Sequence, residues 1–577
     1  MGFLKQDAPV VEDFDAWSQG SRAEKIVPMA QHWAQVGFGT PVALHLLYAT
    51  KILAYAAIAL MIVLLTPGIS GVGEIEQWWT EPIVLEKVVL YTMLFEVIGL
   101  GCGFGPLNNR IFPPMGAILY WLRPNTIRLP PWPGRIPLTR GTSRTPVDVA
   151  LYAALLVMLV VALCGSGTGP IASLNSSIGV LPVWEVAMVV ALLAACGLRD
   201  KSIFLGARGE VYGSLAVAFL LTGTDIIVAA KLVLLTIWFG AAVSKLNRHF
   251  PFVISTMMSN NPVLRPRWLK RKFFTHFPDD LTPSWISRWV AHVATAIELL
   301  VPLVLFFGHG WPMAVAATVM VAFHLGILAS IPMGVPLEWN VFMIFGLLFL
   351  FVGHAGIGLT DMHSAWPVVL FAVLASTVVV GNLSPRTVSF LPGMRYYAGN
   401  WDTSLWCMKP SAAAKIEQNL VAIPSVPAAQ MKKVYGGTKT AALYQYMAYA
   451  FRAFNTHGRA MFTLAHHAMA GRDEADYVLT DGELITSTAI GWNFGDGHMC
   501  NEQLIAALQD RCDFEPGEVR VVLLDAQPIQ RQTQRYRLVD AATGEFESGY
   551  VRVADMANSQ PWDDTIPVYV DAHATRN

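Results

Sequence analysis

Charged residues are scarce in this chain. Only 14 % of its 577 residues are Asp, Glu, Lys or Arg, whereas 54 % are hydrophobic. A soluble globular protein has about 25 % charged residues, so the deficit excludes a wholly soluble chain. It is concentrated before residue 385 and nearly absent after it. The net charge of −1 provides no basic excess, and nucleic acid is therefore not expected as a partner.

Cysteines and targeting signals are equally sparse. The six cysteines are scattered along the chain, and their spacing matches neither a metal site nor a disulfide framework. We therefore expect no metal. The N-terminus reads MGFLKQDAPVVEDFD, which is acidic and lacks the basic and apolar regions of a cleaved signal peptide.

Long apolar runs are what the sequence has instead. They predict membrane helices at about 42–65, 84–103, 147–165, 181–198, 289–307, 312–330, 338–353 and 365–382. A further apolar stretch covers 211–245 and is interrupted at Gly223-Thr224-Asp225. It is either one long tilted helix or two shorter helices that meet at this break.

Loop charge separates these two alternatives. With two helices in 211–245, the loops 104–146, 199–210 and 246–288 lie on one side and contain six, three and seven Lys or Arg residues. The opposite loops 66–82, 166–180 and 354–364 contain none. The positive-inside rule then predicts ten segments in the plasma membrane and cytoplasmic N- and C-termini.

The predicted fold class is an α-helical polytopic membrane protein of about nine to ten segments, followed by a soluble α+β domain. Residues 1–40 form a polar, amphipathic cytoplasmic segment, 41–384 the membrane domain, and 385–577 the soluble part, called the cap below. Within the cap we predict helical structure over 440–471 and strands at 518–525, 536–540 and 546–553. The glycine-rich stretch 491–498 presents Asp496 and His498, either as a tight turn or as a site that closes over the membrane.

Ionisable residues inside apolar segments are expensive and mark sites or structural pairs. Those in this chain are Lys51, Glu96, Asp225, Lys231, Lys245, Glu298 and His324. Lys51 and Glu96, on neighbouring helices, are expected to pair structurally. Lys245 ends an apolar helix, so it either snorkels to the interface or acts as a functional amine. A lone histidine such as His324 is either a packed, hydrogen-bonded residue or part of a site.

Helix geometry brings three of these residues to comparable depths. At 1.5 Å per residue, Glu298 lies roughly 15 Å below the basic loop, and His324 lies roughly 10 Å from the end of its own helix. Burial favours the neutral forms of Lys and Glu, which can provide a base and an acid near neutral pH. We therefore predict a cavity that Glu298 and His324 share, with Lys245 at its mouth.

The run 211–351 resembles the membrane core of the vitamin K-dependent gamma-carboxylase and its bacterial relatives. The similar features are the helix pair that ends in GAAVSKLNRHF, the helix with Glu298 and Pro302, and the Phe323-His324 pair. The resemblance implies that Lys245 is the base that activates a reduced quinone, and that a quinone is the cofactor. Over its whole length the chain resembles a family of large actinobacterial transmembrane proteins whose function is not established.

Two functions follow from the sequence. The first is a membrane-embedded enzyme that acts on a quinone or another isoprenoid or lipid, with Lys245, Glu298 and His324 as its catalytic residues. The second is a non-catalytic lipid-binding or lipid-transport accessory protein of the cell envelope, in which these residues only line a polar cavity. Both make membrane lipids the expected partners.

Overall fold

The part of the chain before residue 385 is mostly helical. The computed structural model describes residues 2–4, 7, 9–101, 116–137, 139–330, 337–396, 398–421, 437–469, 472, 474–492, 497–563 and 565–571. Its α-helices before the cap are Phe14–Gln19, Arg22–Val36, Val42–Leu64, Ile75–Trp78, Pro82–Val97, Gly116–Trp121, Pro146–Cys164, Val183–Arg199, Lys201–Gly206, Ser214–Ala218, Thr224–Ser244, Phe250–Asn260, Arg267–Arg271, Trp285–Phe307, Gly310–Ser330, Leu337–Leu347 and Trp366–Leu383. Two π-helical turns, Gly209–Gly213 and Leu348–Gly353, and a two-stranded sheet, Phe274–His276 with Asp280–Pro283, complete this part.

Six helices in the described part of the chain are long and apolar enough to cross a membrane. They are Val42–Leu64, Pro146–Cys164, Thr224–Ser244, Trp285–Phe307, Gly310–Ser330 and Trp366–Leu383. The predicted class, a helical membrane protein followed by an α+β part, is confirmed. The other predicted segments are shorter: Pro82–Val97, Val183–Arg199 and Leu337–Gly353 form helices of 16 to 17 residues.

The connecting loops gather at two opposite ends of this bundle. At one end Glu81 accepts hydrogen bonds from Ser176 and Ser177, and Thr224 donates to the Asp361 carbonyl. At the other end Tyr120 and Lys201 donate to carbonyl groups of the cap. The loops rich in Lys and Arg therefore share an end with the cap.

The stretch 211–245 is resolved into two segments. Lys201, just before it, lies at the cap end, whereas Thr224 lies at the opposite end. The chain therefore crosses once through the short pieces Gly209–Gly213 and Ser214–Ala218. It returns through Thr224–Ser244, which we call the central helix.

The central helix forms the core of the membrane part. Of its most apolar 18-residue stretch, 89 % is buried inside the protein, against 17–33 % in the other five candidate spans. It packs against Trp366–Leu383 on one side and Trp285–Phe307 on another. A polar group on this helix is therefore surrounded by protein and not by lipid, and needs a partner there.

The cap is built on a six-stranded antiparallel sheet. In spatial order its strands are Val478–Asp481, Thr403–Met408, Val519–Leu524, Thr533–Asp540, Gly544–Arg552 and Val568–Val570. The third, fourth and fifth of these confirm the predicted strands. The other three are short or have no alternation of polar and apolar residues; Thr403–Met408, for example, is buried at every position.

Helices cover the cap sheet. They are Pro410–Asn419, Thr438–Phe454, Thr456–Met469, Gly482–Ile490, Glu502–Cys512 and Val553–Asn558. The helical structure predicted over 440–471 is confirmed in its described part, where Asn455 has extended backbone angles and separates two helices. Residues 470 and 471 lie outside the described residues.

The N-terminal segment packs on the rest of the protein. Helix Arg22–Val36 begins with a capping box between Ser21 and Glu24, in which each side chain accepts from the other residue's backbone. Its apolar face contacts helices Thr438–Phe454 and Phe250–Asn260, and the Trp33 indole donates to the Thr256 carbonyl at 3.3 Å. The division of the chain at residues 40 and 384 into independent domains stays a prediction.

Candidate functional site

Lys245 caps the C-terminal end of the central helix. Its backbone N–H closes the last turn, and its side chain is buried, with 7 % exposed. The loop that follows is held by Asn247, whose Oδ1 accepts from the N–H groups of His249 and Phe250. The Lys245 ammonium lies 5.2 Å from the centre of the Phe250 ring. The loop thus fixes the amine at the helix end, and the lysine does not snorkel outward.

Glu298 is the partner of this amine. It lies in the middle of helix Trp285–Phe307 and has only 5 % of its side chain exposed. Lys245 Nζ lies 2.6 Å from Oε1 and 2.5 Å from Oε2 of Glu298. A buried charge is tolerated only when it is paired, so each residue makes the other possible at this depth.

His324 is buried, but its ring belongs to a different hydrogen-bond network. The Trp238 indole donates to Nε2 at 3.1 Å, and Nδ1 lies 2.9 Å from Oδ1 of Asn340. Because the indole N–H can only donate and an amide oxygen can only accept, the ring is held as the neutral Nδ1–H tautomer. These contacts are those of a packed, hydrogen-bonded histidine.

An apolar cavity of about 430 Å³ adjoins the ion pair. It lies between helices Phe250–Asn260, Trp285–Phe307 and Gly310–Ser330, and Lys245 and Glu298 line its inner wall. Val263 and Val293, which also line it, are exposed, so the cavity reaches the surface of the protein. Among the described residues that line it, the ion pair contributes the only charges.

His324 does not line this cavity. The prediction that Glu298 and His324 share the cavity is therefore wrong for His324, whose ring lies 6.3 Å from that of Trp339, a lining residue. Residue counting gave comparable depths along two helices, but rotation about the helix axis turns the imidazole toward Trp238.

A second cavity, of about 410 Å³, lies on the other side of Lys245. It is polar and is formed where the membrane part meets the cap, by Ser244, Lys245, Asn247, Arg248, His292 and Gln532, among others. Its cap wall is fixed by an amide pair: Asn400 donates to the Gln527 carbonyl at 2.8 Å and accepts from the Gln527 N–H at 2.7 Å. Lys245 lines both cavities and stands at their junction.

Two residues on the apolar cavity wall were missed from the sequence. Trp339 and Tyr396 both line it, and the Trp339 Nε1–H has no partner among the described residues. Tyr396 donates to Glu210 at 3.1 Å, and Glu210 is paired with Arg208. Tyr396 comes after the last membrane segment, and nothing in its sequence surroundings connects it with Trp339.

Three other ionisable residues that the sequence analysis singled out, Lys51, Asp225 and Lys231, have structural partners. Lys51 pairs with Glu338 at 2.6 Å, a partner that the sequence reasoning did not name. Asp225 accepts from the His363 N–H and the Ser364 hydroxyl, and Lys231 donates to two backbone carbonyl groups. Asp225 and Lys231 thus fasten the loop 354–364 to the end of the bundle opposite the cap.

The histidines of the cap are also held by neighbouring groups. His467 lies 3.1 Å from Glu547, and His498 bonds the Pro385 carbonyl at 2.9 Å. Asp496 lies outside the described residues. Within the described residues, no three His, Cys, Asp or Glu side chains are grouped as a metal site requires.

The fold and the site together define a class: a helical transmembrane protein with a buried Lys–Glu pair between a polar and an apolar cavity. Comparison with family models places residues 1–571 in the family described as a transmembrane protein of unknown function (DUF3556), and the chain belongs to this family. No curated protein and no solved structure matches the chain.

Proposed function

We propose that this protein is a membrane-embedded enzyme that binds the head of a lipid, an isoprenoid quinone or a related molecule, at Lys245 and Glu298. One observation carries the proposal: Lys245 lines both the apolar cavity and the polar cavity. An amphiphile needs this arrangement, because its tail is stabilised by apolar walls while its head requires hydrogen-bond partners.

The ion pair supports proton transfer to and from such a head. In water, solvation stabilises the ammonium and the carboxylate and so opposes transfer of the proton from Lys245 to Glu298. An apolar environment provides no such solvation, and the transfer to the neutral amine and carboxylic acid is therefore less opposed there. The neutral amine then takes the proton of a hydroxyl on the head: the O–H bond breaks and an N–H bond forms.

The second candidate, a non-catalytic lipid-binding protein, is favoured by a specific observation. Both nitrogens of His324 are occupied, and no other imidazole lines the described part of the apolar cavity. In this function the pair only neutralises itself and positions the lipid head. The two candidates share the binding site and differ in whether the lipid is changed.

Lipid binding is tested by filling the cavity. Gly326 lines the apolar cavity, and a Cβ added there meets no atom within 4 Å, so the backbone leaves room to begin a larger side chain and Gly326→Phe is chosen to fill the cavity. Leu325→Phe is the matched control, since Leu325 is the adjacent residue, is 52 % exposed and does not line the cavity. Purified wild type and Leu325→Phe are expected to retain the same lipid by mass spectrometry, and Gly326→Phe to lose most of it. Equal lipid in all three contradicts a binding site here.

Catalysis is tested at the amine. Lys245→Arg keeps the charge and the pair, but arginine is not deprotonated in proteins and cannot act as a base. Lys231→Arg, on the same helix at its opposite end, is the control. Lipid extracts of membranes that contain the wild type or Lys231→Arg are expected to show a converted lipid that Lys245→Arg membranes lack. Conversion by Lys245→Arg contradicts Lys245 as the base, and no conversion by any form favours the binding protein.

A further inference from the structure

The polar cavity has a chemical character of its own. Arg248, His292 and Gln532 line it, and no side-chain hydrogen bond joins any of them to another described residue. The other amides on its wall are already occupied: Asn247 holds the loop after the central helix, and Gln527 bonds His249 and the Arg531 carbonyl. Three donor-bearing side chains therefore face one space without a protein partner.

The charge in this space is positive. No Asp or Glu occurs among the described residues that line it, and the charge of Lys245 is already neutralised by Glu298 from the other cavity. Arg248 thus contributes a guanidinium whose charge is not neutralised. It belongs to the loop 246–288, which contains seven Lys or Arg residues and only two Asp. A cleft lined by one sign of charge concentrates ligands of the opposite sign.

From this cluster we infer that the polar cavity binds a phosphate group, held by Arg248, His292 and Gln532 beside Lys245. The planar guanidinium matches two phosphate oxygens at once, and the imidazole and amide donate to the remaining ones. The phosphate belongs either to the head of the lipid in the apolar cavity or to a soluble molecule that enters between the cap and the membrane part. This assignment deepens the proposed function and rests on it.

Arg248→Gln is the variant that tests the inference. Arg248 is exposed, and its side chain makes no ion pair or hydrogen bond with another described residue, so the fold does not depend on it. The control is Arg265→Gln, which removes an equally exposed charge from the same loop, outside the cavity lining. A charge-assisted hydrogen bond is worth about 1.5–3 kcal/mol, which corresponds to a roughly ten-fold or larger loss of affinity.

Two measurements separate the sources of the phosphate. Inorganic phosphate is titrated by calorimetry into the protein in dodecyl maltoside, a detergent without phosphate. Separately, native mass spectrometry compares retention of phosphatidic acid with that of diacylglycerol, which has the same tails and no phosphate. If Arg248→Gln weakens the binding of inorganic phosphate at least ten-fold and Arg265→Gln leaves it intact, the ligand is a soluble phosphate. If phosphatidic acid is retained preferentially and only Arg248→Gln abolishes this preference, the phosphate belongs to a lipid head.

The remaining outcomes overturn the inference. Equal effects of both variants show a non-specific basic surface, and no preference for phosphate in either measurement shows that the cavity is not an anion site. The proposed function is tested separately by lipid retention in Gly326→Phe, because this variant blocks only the apolar cavity. Lipid loss in Gly326→Phe without any effect of Arg248→Gln leaves lipid binding standing and rejects the phosphate site.

Discussion

Lys245 and Glu298 are 53 positions apart in the chain, and Nζ of the lysine lies within 2.6 Å of both carboxylate oxygens. The pair joins the end of the central helix to the middle of helix Trp285–Phe307. It is also the boundary between a polar cavity under the cap and an apolar cavity between three helices. The same contact therefore stabilises the bundle and supplies the reactive groups of the proposed site.

Removing one member of this pair is expected to destabilise the protein strongly. Lys245→Met or Glu298→Met leaves a buried charge without its partner, at a cost of about 3–5 kcal/mol. The double variant removes both charges and is expected to recover most of that loss, because apolar replacements of buried pairs are often neutral. Unfolding in detergent, followed by tryptophan fluorescence, gives the free energies of unfolding of the wild type, both single variants and the double variant. Additive losses in the double variant contradict a coupled pair.

Acidification is expected to destabilise the protein between pH 6.5 and pH 4. Burial of His249, opposed by its hydrogen bond with Gln527, lowers its pKa from 6.5 to about 4. Since the folded pKa lies below the unfolded one, the unfolded chain takes up the proton first. The stability is fully present above pH 6.5 and falls as the pH drops toward 4, by about 3 kcal/mol.

The control for this pH dependence is His249→Gln, which cannot take up the proton. Thermal unfolding of both proteins from pH 7.5 to pH 4 gives the two slopes. The variant is expected to have a shallower slope, although not a flat one, because burial also holds the pKa of His457 well below its usual range. Equal slopes in the two proteins contradict a neutral, buried His249.

The contact between the membrane part and the cap is tested at Gly491. Its φ is +79°, and a Cβ there lies 2.6 Å from the Tyr120 ring. Gly544→Ala is the control, because Gly544 has a φ of +92° and no atom lies within 4 Å of a Cβ there. It is expected to lower the free energy of unfolding by the backbone penalty alone, about 1–2 kcal/mol. Gly491→Ala is expected to lower it by about 1–3 kcal/mol more, because of the clash with Tyr120. Equal losses in unfolding experiments imply that Tyr120 does not pack there.

Orientation in the membrane is tested with reporter fusions. The basic loops share an end with the cap, and the positive-inside rule places that end in the cytoplasm. Fusions after Lys272 and after Asn577 are expected to score as cytoplasmic, and a fusion after Ser364, in a loop without Lys or Arg, as external. An external result for either of the first two breaks this scheme.

The sequence by itself determined the class of the protein, while the orientation of its chain in the membrane stays a prediction. Apolar runs of membrane length form helices because every backbone group must be satisfied inside the bilayer. The central hairpin strands of the cap were also predictable, since turn residues between alternating segments are local signals. Lys245 and Glu298 were found because a charge in an apolar helix is costly and needs a reason.

Only the tertiary structure decided which of these groups meet. His324 and Glu298 have similar depths along their helices, yet side-chain direction depends on helix rotation and packing, which residue counting does not contain. Thus His324 bonds Trp238 and Asn340, while Glu298 turns to Lys245. The two cavities exist for the same reason: their walls come from segments far apart in the chain, and only packing brings those segments together.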